Sequence, residues 1–112
     1  MTEPQKFLPL TVPVFHILLA LADERRHGYA ILQDIERRSD GSVKLGTGTL
    51  YTAIRRMLKS GLIERSDTRP NPSEDDERRN YYRLTRLGAQ VARAEAARMK
   101  GLVDLARSKQ VF

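Results

Sequence analysis

Between Thr47 and Lys59 the chain gathers side chains that could do chemistry on a polyanion. Thr47, Thr49 and Thr52 supply hydroxyls, Tyr51 a phenol, and Arg55, Arg56 and Lys59 cations, with no acid among them. Hydroxyls and guanidinium groups in this arrangement suit phosphate oxygens and the edges of bases. Leu50, Ile54, Met57 and Leu58 recur at i, i+4, i+7 and i+8, which predicts one helix over 47–60 with a single apolar stripe. The polar groups then fall on its outer face. Gly61 supplies the left-handed residue that ends such a helix, and Thr47 or Thr49 would cap its start. Arg55, one turn in, is the first candidate for a base edge or phosphate, since arginine to guanine is the commonest specific contact. Arg56 and Lys59 would hold the backbone. Tyr51 has two readings, a phosphate contact or packing against the helix beneath.

No other chemistry competes. There is no cysteine, and the two histidines are not spaced as metal ligands, so thiolate and metal sites are not expected and no cofactor is implied. His16 reads as a packed, hydrogen-bonded residue and His27, before Gly28, as part of a turn. No nucleophile–base pair or paired carboxylates stand out, and Gly46-x-Gly48 lacks the strand and further glycine of a dinucleotide fingerprint. The chain is not read as an enzyme. The longest apolar run, Val12 to Ala22, is too short to span a bilayer. MTEPQKF lacks a basic region leading into an apolar core, so a cytoplasmic protein is expected.

The 112 residues carry a net charge of +6 with a pI near 10.1, which favours a polyanionic partner. Residues 1–45 hold six bases and six acids, whereas residues 46–63 contribute +3, residues 64–83 contribute −1 and residues 84–112 contribute +4. The excess is therefore local.

The elements that must position the basic helix follow from periodicity. Residues 11–22 form a helix apolar nearly all round, with Pro13 in its first turn, which implies burial on most sides. A second helix runs from about Gly28 to Ser39, ending in the turn Asp40-Gly41-Ser42. After the helix at 47–60 come two strands, Leu62–Arg65 and Asn80–Thr85, the latter alternating like a half-buried strand. Between them residues 69–79 make a long hairpin loop. The order predicts a mainly α fold with a small β-hairpin: a winged helix-turn-helix over 11–85, preceded by an arm at 1–10 and followed by a helix and tail at 86–112.

The last helix starts at the N-cap Thr85 and runs to about Arg107. Ala89, Ala92, Ala96, Met99, Val103 and Ala106 are spaced 3, 4, 3, 4, 3, a heptad seam of mostly small side chains. Roughly 30–35 Å of helix is more than the rest of the chain can cover. A second copy would bury the seam, making a homodimer. The competing arrangement folds the helix back on its own domain through Leu87, Val91, Leu102 and Leu105.

HGYAI at 27–31, GTLYTAI at 48–54, LKSGLIE at 58–64 and RRNYYRLTRLG at 78–88 together resemble the PadR family of bacterial transcriptional regulators. The likeness covers roughly residues 10–107 and matches the shorter members with one C-terminal helix. It implies a winged-helix homodimer that binds double-stranded operator DNA and represses nearby genes. Some members of the family release DNA on binding a small aromatic or hydrophobic effector between subunits. A pocket of that kind would use Val12, Phe15, Met99 and Val103, although this chain lacks the tryptophan on which some members stack drugs. Arg78 and Arg79 open the second wing strand and match basic family positions that reach the neighbouring minor groove. The tip before them, Glu74-Asp75-Asp76-Glu77, departs from a DNA-contacting wing. These acids would be repelled by phosphate unless they bend away or pair with Arg69, Arg78 or Arg79. An adaptor that uses the winged helix to hold another protein is the competing function, and the acidic tip is its main support.

Overall fold

A computed structural model describes residues 3–67 and 80–112. A short 3₁₀ turn, Pro4–Phe7, leads into α1 (Val12–Ala22), β1 (Arg26–His27), α2 (Gly28–Arg38), α3 (Thr47–Ser60), β2 (Ile63–Ser66), β3 (Tyr81–Leu84) and α4 (Arg86–Ser108). Each boundary has a local cause. The Thr11 hydroxyl accepts from the Val14 N–H at the start of α1, and His27 Nδ1 accepts from the Ala30 N–H at 3.1 Å to cap α2. His27 is thus structural, as the turn predicted.

At the end of α3, Gly61 takes φ 82°. The Leu62 N–H then reaches the Met57 carbonyl at 2.9 Å, and the Gly61 N–H reaches that of Leu58 at 3.3 Å. This paired closure satisfies the last carbonyls and turns the chain into β2.

Strand β3 lies between β1 and β2 in a three-stranded antiparallel sheet. Its partners are Arg26↔Tyr82 and His27↔Tyr81 on one side and Ile63↔Leu84, Glu64↔Arg83, Arg65↔Tyr82 and Ser66↔Tyr81 on the other. The sequence predicts a two-stranded hairpin with an alternating second strand; the third strand, β1, has only two residues, too few for a periodic pattern. Because β3 is central, Tyr81 and Tyr82 are both buried. Tyr82 joins the main core, while Tyr81 meets the His27 ring edge-on at 5.2 Å between centroids.

The core joins Ile17 and Leu18 of α1, Ile31 of α2, Leu50, Ile54 and Met57 of α3, Ile63 of β2 and Val91 of α4. Thr85 locks α4 to the α3–β2 turn. Its hydroxyl accepts from the Gly88 N–H at 3.0 Å and sits 2.5 Å from the Gly61 carbonyl oxygen, to which it donates. Gly88 lies so close to the Leu62 carbonyl that any Cβ would collide with it.

The first helix is covered on most sides, as expected, by α2, α3, α4 and β3, but Val12 and Leu19 remain 61% and 41% exposed. The arm packs on the domain, with Phe7, Leu8 and Leu10 against the core. Glu95 of α4, fully buried, accepts from the Leu10 N–H at 2.7 Å and from Arg98. The Arg98 hydrogen bond holds the Glu95 carboxyl below the usual glutamate range, against the opposing effect of burial.

Candidate nucleic-acid interface

Helix α3 buries Leu50, Ala53, Ile54 and Met57 and leaves Thr47, Thr49, Tyr51, Thr52, Arg55, Arg56 and Lys59 exposed. All seven predicted α3 residues therefore reach solvent from one element. The cap differs from expectation. Gly46 is the N-cap, with φ −70° and ψ 156°, and no side chain bonds the first turn. Thr47 and Thr49 are consequently not committed as caps, and their hydroxyls stand with the free N–H groups at the positive end of the helix dipole.

Arg55 is partly organised. Its Nη2 lies 3.3 Å from the Thr52 hydroxyl oxygen, to which it donates. Arg56 turns toward α1, lining a cavity of about 600 Å³ with Thr11, Pro13, Val14, Thr49 and Thr52. Arg55 and Arg56 thus address different sides of α3.

Tyr51 packs as well as faces outward. Its ring lies over Gly28 at the start of α2, where an added Cβ would come 2.5 Å from the phenolic oxygen, yet the residue stays 41% exposed. Two exposed groups nearby escaped the sequence reading. Tyr29, 57% exposed, follows Gly28 in the first turn of α2. Arg65 lies exposed on β2 opposite Tyr82 in register. Its position two residues after the Gly61 turn's Ile63, on the outward side of a strand beginning buried–exposed–exposed, is the signal that could have marked it.

The charges sort by element. The carboxylate of Asp34, buried on α2, accepts from Arg37 and Arg38 at 2.9 Å and lies 3.3 Å from Arg26, while Arg38 also pairs with Asp23 at 2.7 Å. Lys44 pairs with Glu36. The neutral N-terminal portion is therefore neutralised internally. Among the described residues no acid pairs with Arg55, Arg56, Lys59 or Arg65, which keeps the potential over α3 positive.

The remaining predicted residues are placed less uniformly. Arg78, Arg79 and the acidic tip lie outside the described residues. Ala89 and Ala92 are half-buried, Ala92 against its own core, whereas Ala96, Met99 and Val103 are exposed and Ala106 is intermediate. Leu87 and Val91 turn inward, but Leu102 and Leu105 remain 52% and 53% exposed, so the fold-back arrangement holds for only the first half of α4. Of the effector quartet, Phe15 is half-buried and Val12, Met99 and Val103 are exposed. His16 is half-buried beside Leu19, Ala20, Asp34, Ile35 and Arg38, around a cavity of about 430 Å³. It packs as expected but makes no hydrogen bond among the described residues.

Three helices with a small antiparallel sheet, the third helix carrying an exposed acid-free face, define a winged helix-turn-helix of the DNA-binding class. Within that class the chain belongs to the PadR-like family of transcriptional regulators, whose sequence profile matches residues 17–94. It is 33% identical over 92 residues to protein X of Lysinibacillus sphaericus, covering 80% of this chain and 82% of that one. A PadR family transcription regulator from Clostridium difficile is similar in structure, with a TM-score of 0.73 at 23% identity over 89% of this chain and 99% of the other. Bacillus subtilis PadR, solved in complex with operator DNA, gives a TM-score of 0.63 at 19% identity over 75% of this chain and 46% of that one. Among the described residues no helix is long and apolar enough to cross a membrane.

Proposed function

We propose that this regulator acts in the cytoplasm as a homodimeric repressor, with α3 of each copy in the major groove of a palindromic operator. The observation that carries this reading is the face of α3: Thr47, Thr49, Tyr51, Thr52, Arg55 and Lys59 exposed together with no acid. Arg55, braced by Thr52, reads a base edge; Thr47, Thr49 and Tyr51 hold phosphate at the helix N-terminus; Arg56 and Lys59 hold the flanking backbone. Arg78 and Arg79 serve the wing. The operator complex of the Bacillus subtilis relative supports a nucleic-acid role for this fold.

Dimerisation is supported by apolar surface left open on one chain. Met99, Leu102, Val103 and Leu105 on α4, and Val12 and Leu19 on α1, are 38–61% exposed. A second copy would bury this surface and complete a seam through Ala89, Ala92, Ala96, Met99, Val103 and Ala106. A small hydrophobic effector would then sit between subunits against Val12, Phe15, Met99 and Val103, where entry of the ligand could alter the spacing of the two α3 helices.

The test is titration of the DNA upstream of the protein's own gene against random duplex at several salt concentrations, with sedimentation of the free protein. A preference for a palindrome with half-sites about 34 Å apart, and a dimer at micromolar concentration, are expected. Equal affinity for both DNAs would remove the sequence-specific reading; a monomer would remove the palindrome with it.

A further inference from the structure

The positive charge of the C-terminal segment is not used by the α3 reading. Arg86, Arg93, Lys100 and Arg107 recur every seven residues along α4, and all four are exposed. Seven residues fall about 20° short of two full turns, so they form one gently winding row. Its cations stand about 10.5 Å apart over about 31 Å. The row lies across the helix from buried Gly88, Val91 and Glu95, and flanks the apolar seam without belonging to it.

Among the described residues no acid of the chain pairs with Arg86, Arg93 or Arg107 of this row. Along it only Asp104 is acidic, and Asp104 is already engaged with Lys100 at 2.9 Å. The residues flanking the other side of the seam are Gly88, Glu95, Leu102 and Lys109, and the carboxylate of Glu95 is buried and held by Arg98. Arg107 meets a ring instead of an acid, its guanidinium carbon 5.1 Å from the centre of Phe112. The row begins beside the turn that ends α3. Thr85, the cap of α4, donates to the Gly61 carbonyl that closes α3, so Lys59 and Arg86 stand on either side of one junction.

We propose that Arg86, Arg93, Lys100 and Arg107 form a second polyanion track, which holds the phosphate backbone of duplex DNA lying outside the site read by α3. The row spans about one turn of B-form DNA, roughly 34 Å. A membrane surface fits less well, because the apolar side chains it would need, Met99 and Val103, are those a second copy covers. The track rests on the DNA-binding reading of α3, and it would add affinity and salt dependence without adding sequence preference.

The experiment compares binding of the full chain to its upstream site in a duplex of about two turns and in one of about six turns, over a range of salt. Arg93→Gln with Arg107→Gln should leave the short duplex unaffected. On the long duplex it should make the slope of log affinity against log salt shallower by about 0.9 for each cation removed from the contact. Asp104→Asn, which frees Lys100, should act in the opposite direction and tighten the long complex, a gain that damage to the fold cannot imitate. Equal salt slopes for parent and double variant on the long duplex overturn the track. So does loss of binding to vesicles containing phosphatidylserine in place of loss on DNA. Arg55→Ala separates the two readings: it should weaken both duplexes, and if it weakens neither the α3 reading fails, whereas a failure of the track alone leaves the Arg55→Ala loss in place and the row variants without effect.

Discussion

At the scale of single residues, Arg55 and Glu95 contrast a charge left open to solvent with one enclosed by the fold. Arg55 is exposed and braced by a neutral hydroxyl, so its charge remains available to DNA. Arg55→Ala should weaken operator binding by about 1–3 kcal/mol if it reads a base, with a smaller loss on random DNA. An equal loss on both, in a titration at fixed salt, would leave it a phosphate contact only. Glu95 is the reverse case, a carboxylate stabilised as an anion by Arg98 and the Leu10 N–H inside the domain. Its folded-state pKa is depressed, so the stability it contributes is fully present above its unfolded value, about 4.3. That stability is lost as pH falls from there through the folded-state value. Urea midpoints between pH 7 and pH 3 should therefore fall less steeply for Glu95→Gln than for the parent. Parallel curves would show that the arm is held by apolar packing alone.

At the scale of elements, the orientation of α3 depends on the turn that follows it. Gly61 accepts a left-handed backbone with open space around it, so Gly61→Ala should cost roughly 1–2 kcal/mol from φ alone. Gly88 has ordinary helical geometry but no room, since its missing Cβ is replaced by the Leu62 carbonyl. Gly88→Ala must push α4 off the α3–β2 turn and should cost more, about 3 kcal/mol, at the upper end of overpacking changes. Thermal melts of the two variants would order them; a milder Gly88→Ala would mean that α4 tilts freely at its start. Because Thr85 bonds both Gly61 and Gly88, the end of α3 and the start of α4 are tied together at one junction.

At the scale of the molecule, the chain divides into a covered half and an uncovered one. The first turns of α4 bury Gly88, Val91 and Glu95, while from Ala96 onward no described residue of α4 is buried. Val103→Glu should leave the monomer folded, because the side chain is 44% exposed, but should prevent association of two seams. Sedimentation of this variant as a monomer, with at least tenfold weaker operator binding, is expected from losing the second half-site. A dimer with unchanged affinity would place the interface elsewhere, on α1 or the arm.

Much of this was legible in the residue order. The 3.6-residue stripe of α3, the cap Thr85 and the stop at Gly61 depend on interactions within a few positions, which a sequence displays directly. So do the acid-free face of α3 and the seven-residue repeats of α4, since a helix converts spacing into faces. Only the tertiary structure decided what neighbours make of those faces. It made Gly46 the cap of α3, put the Tyr51 ring over Gly28, and recruited Arg26 and His27 as a third strand that buries both Tyr81 and Tyr82. It also turned Glu95, one of two acids on a basic helix, into a buried anchor for a backbone N–H 85 positions earlier. The physical reason is range. Periodicity and capping are local, whereas burial and pairing depend on which distant segment arrives, and a single sequence does not carry that information at either end of the contact.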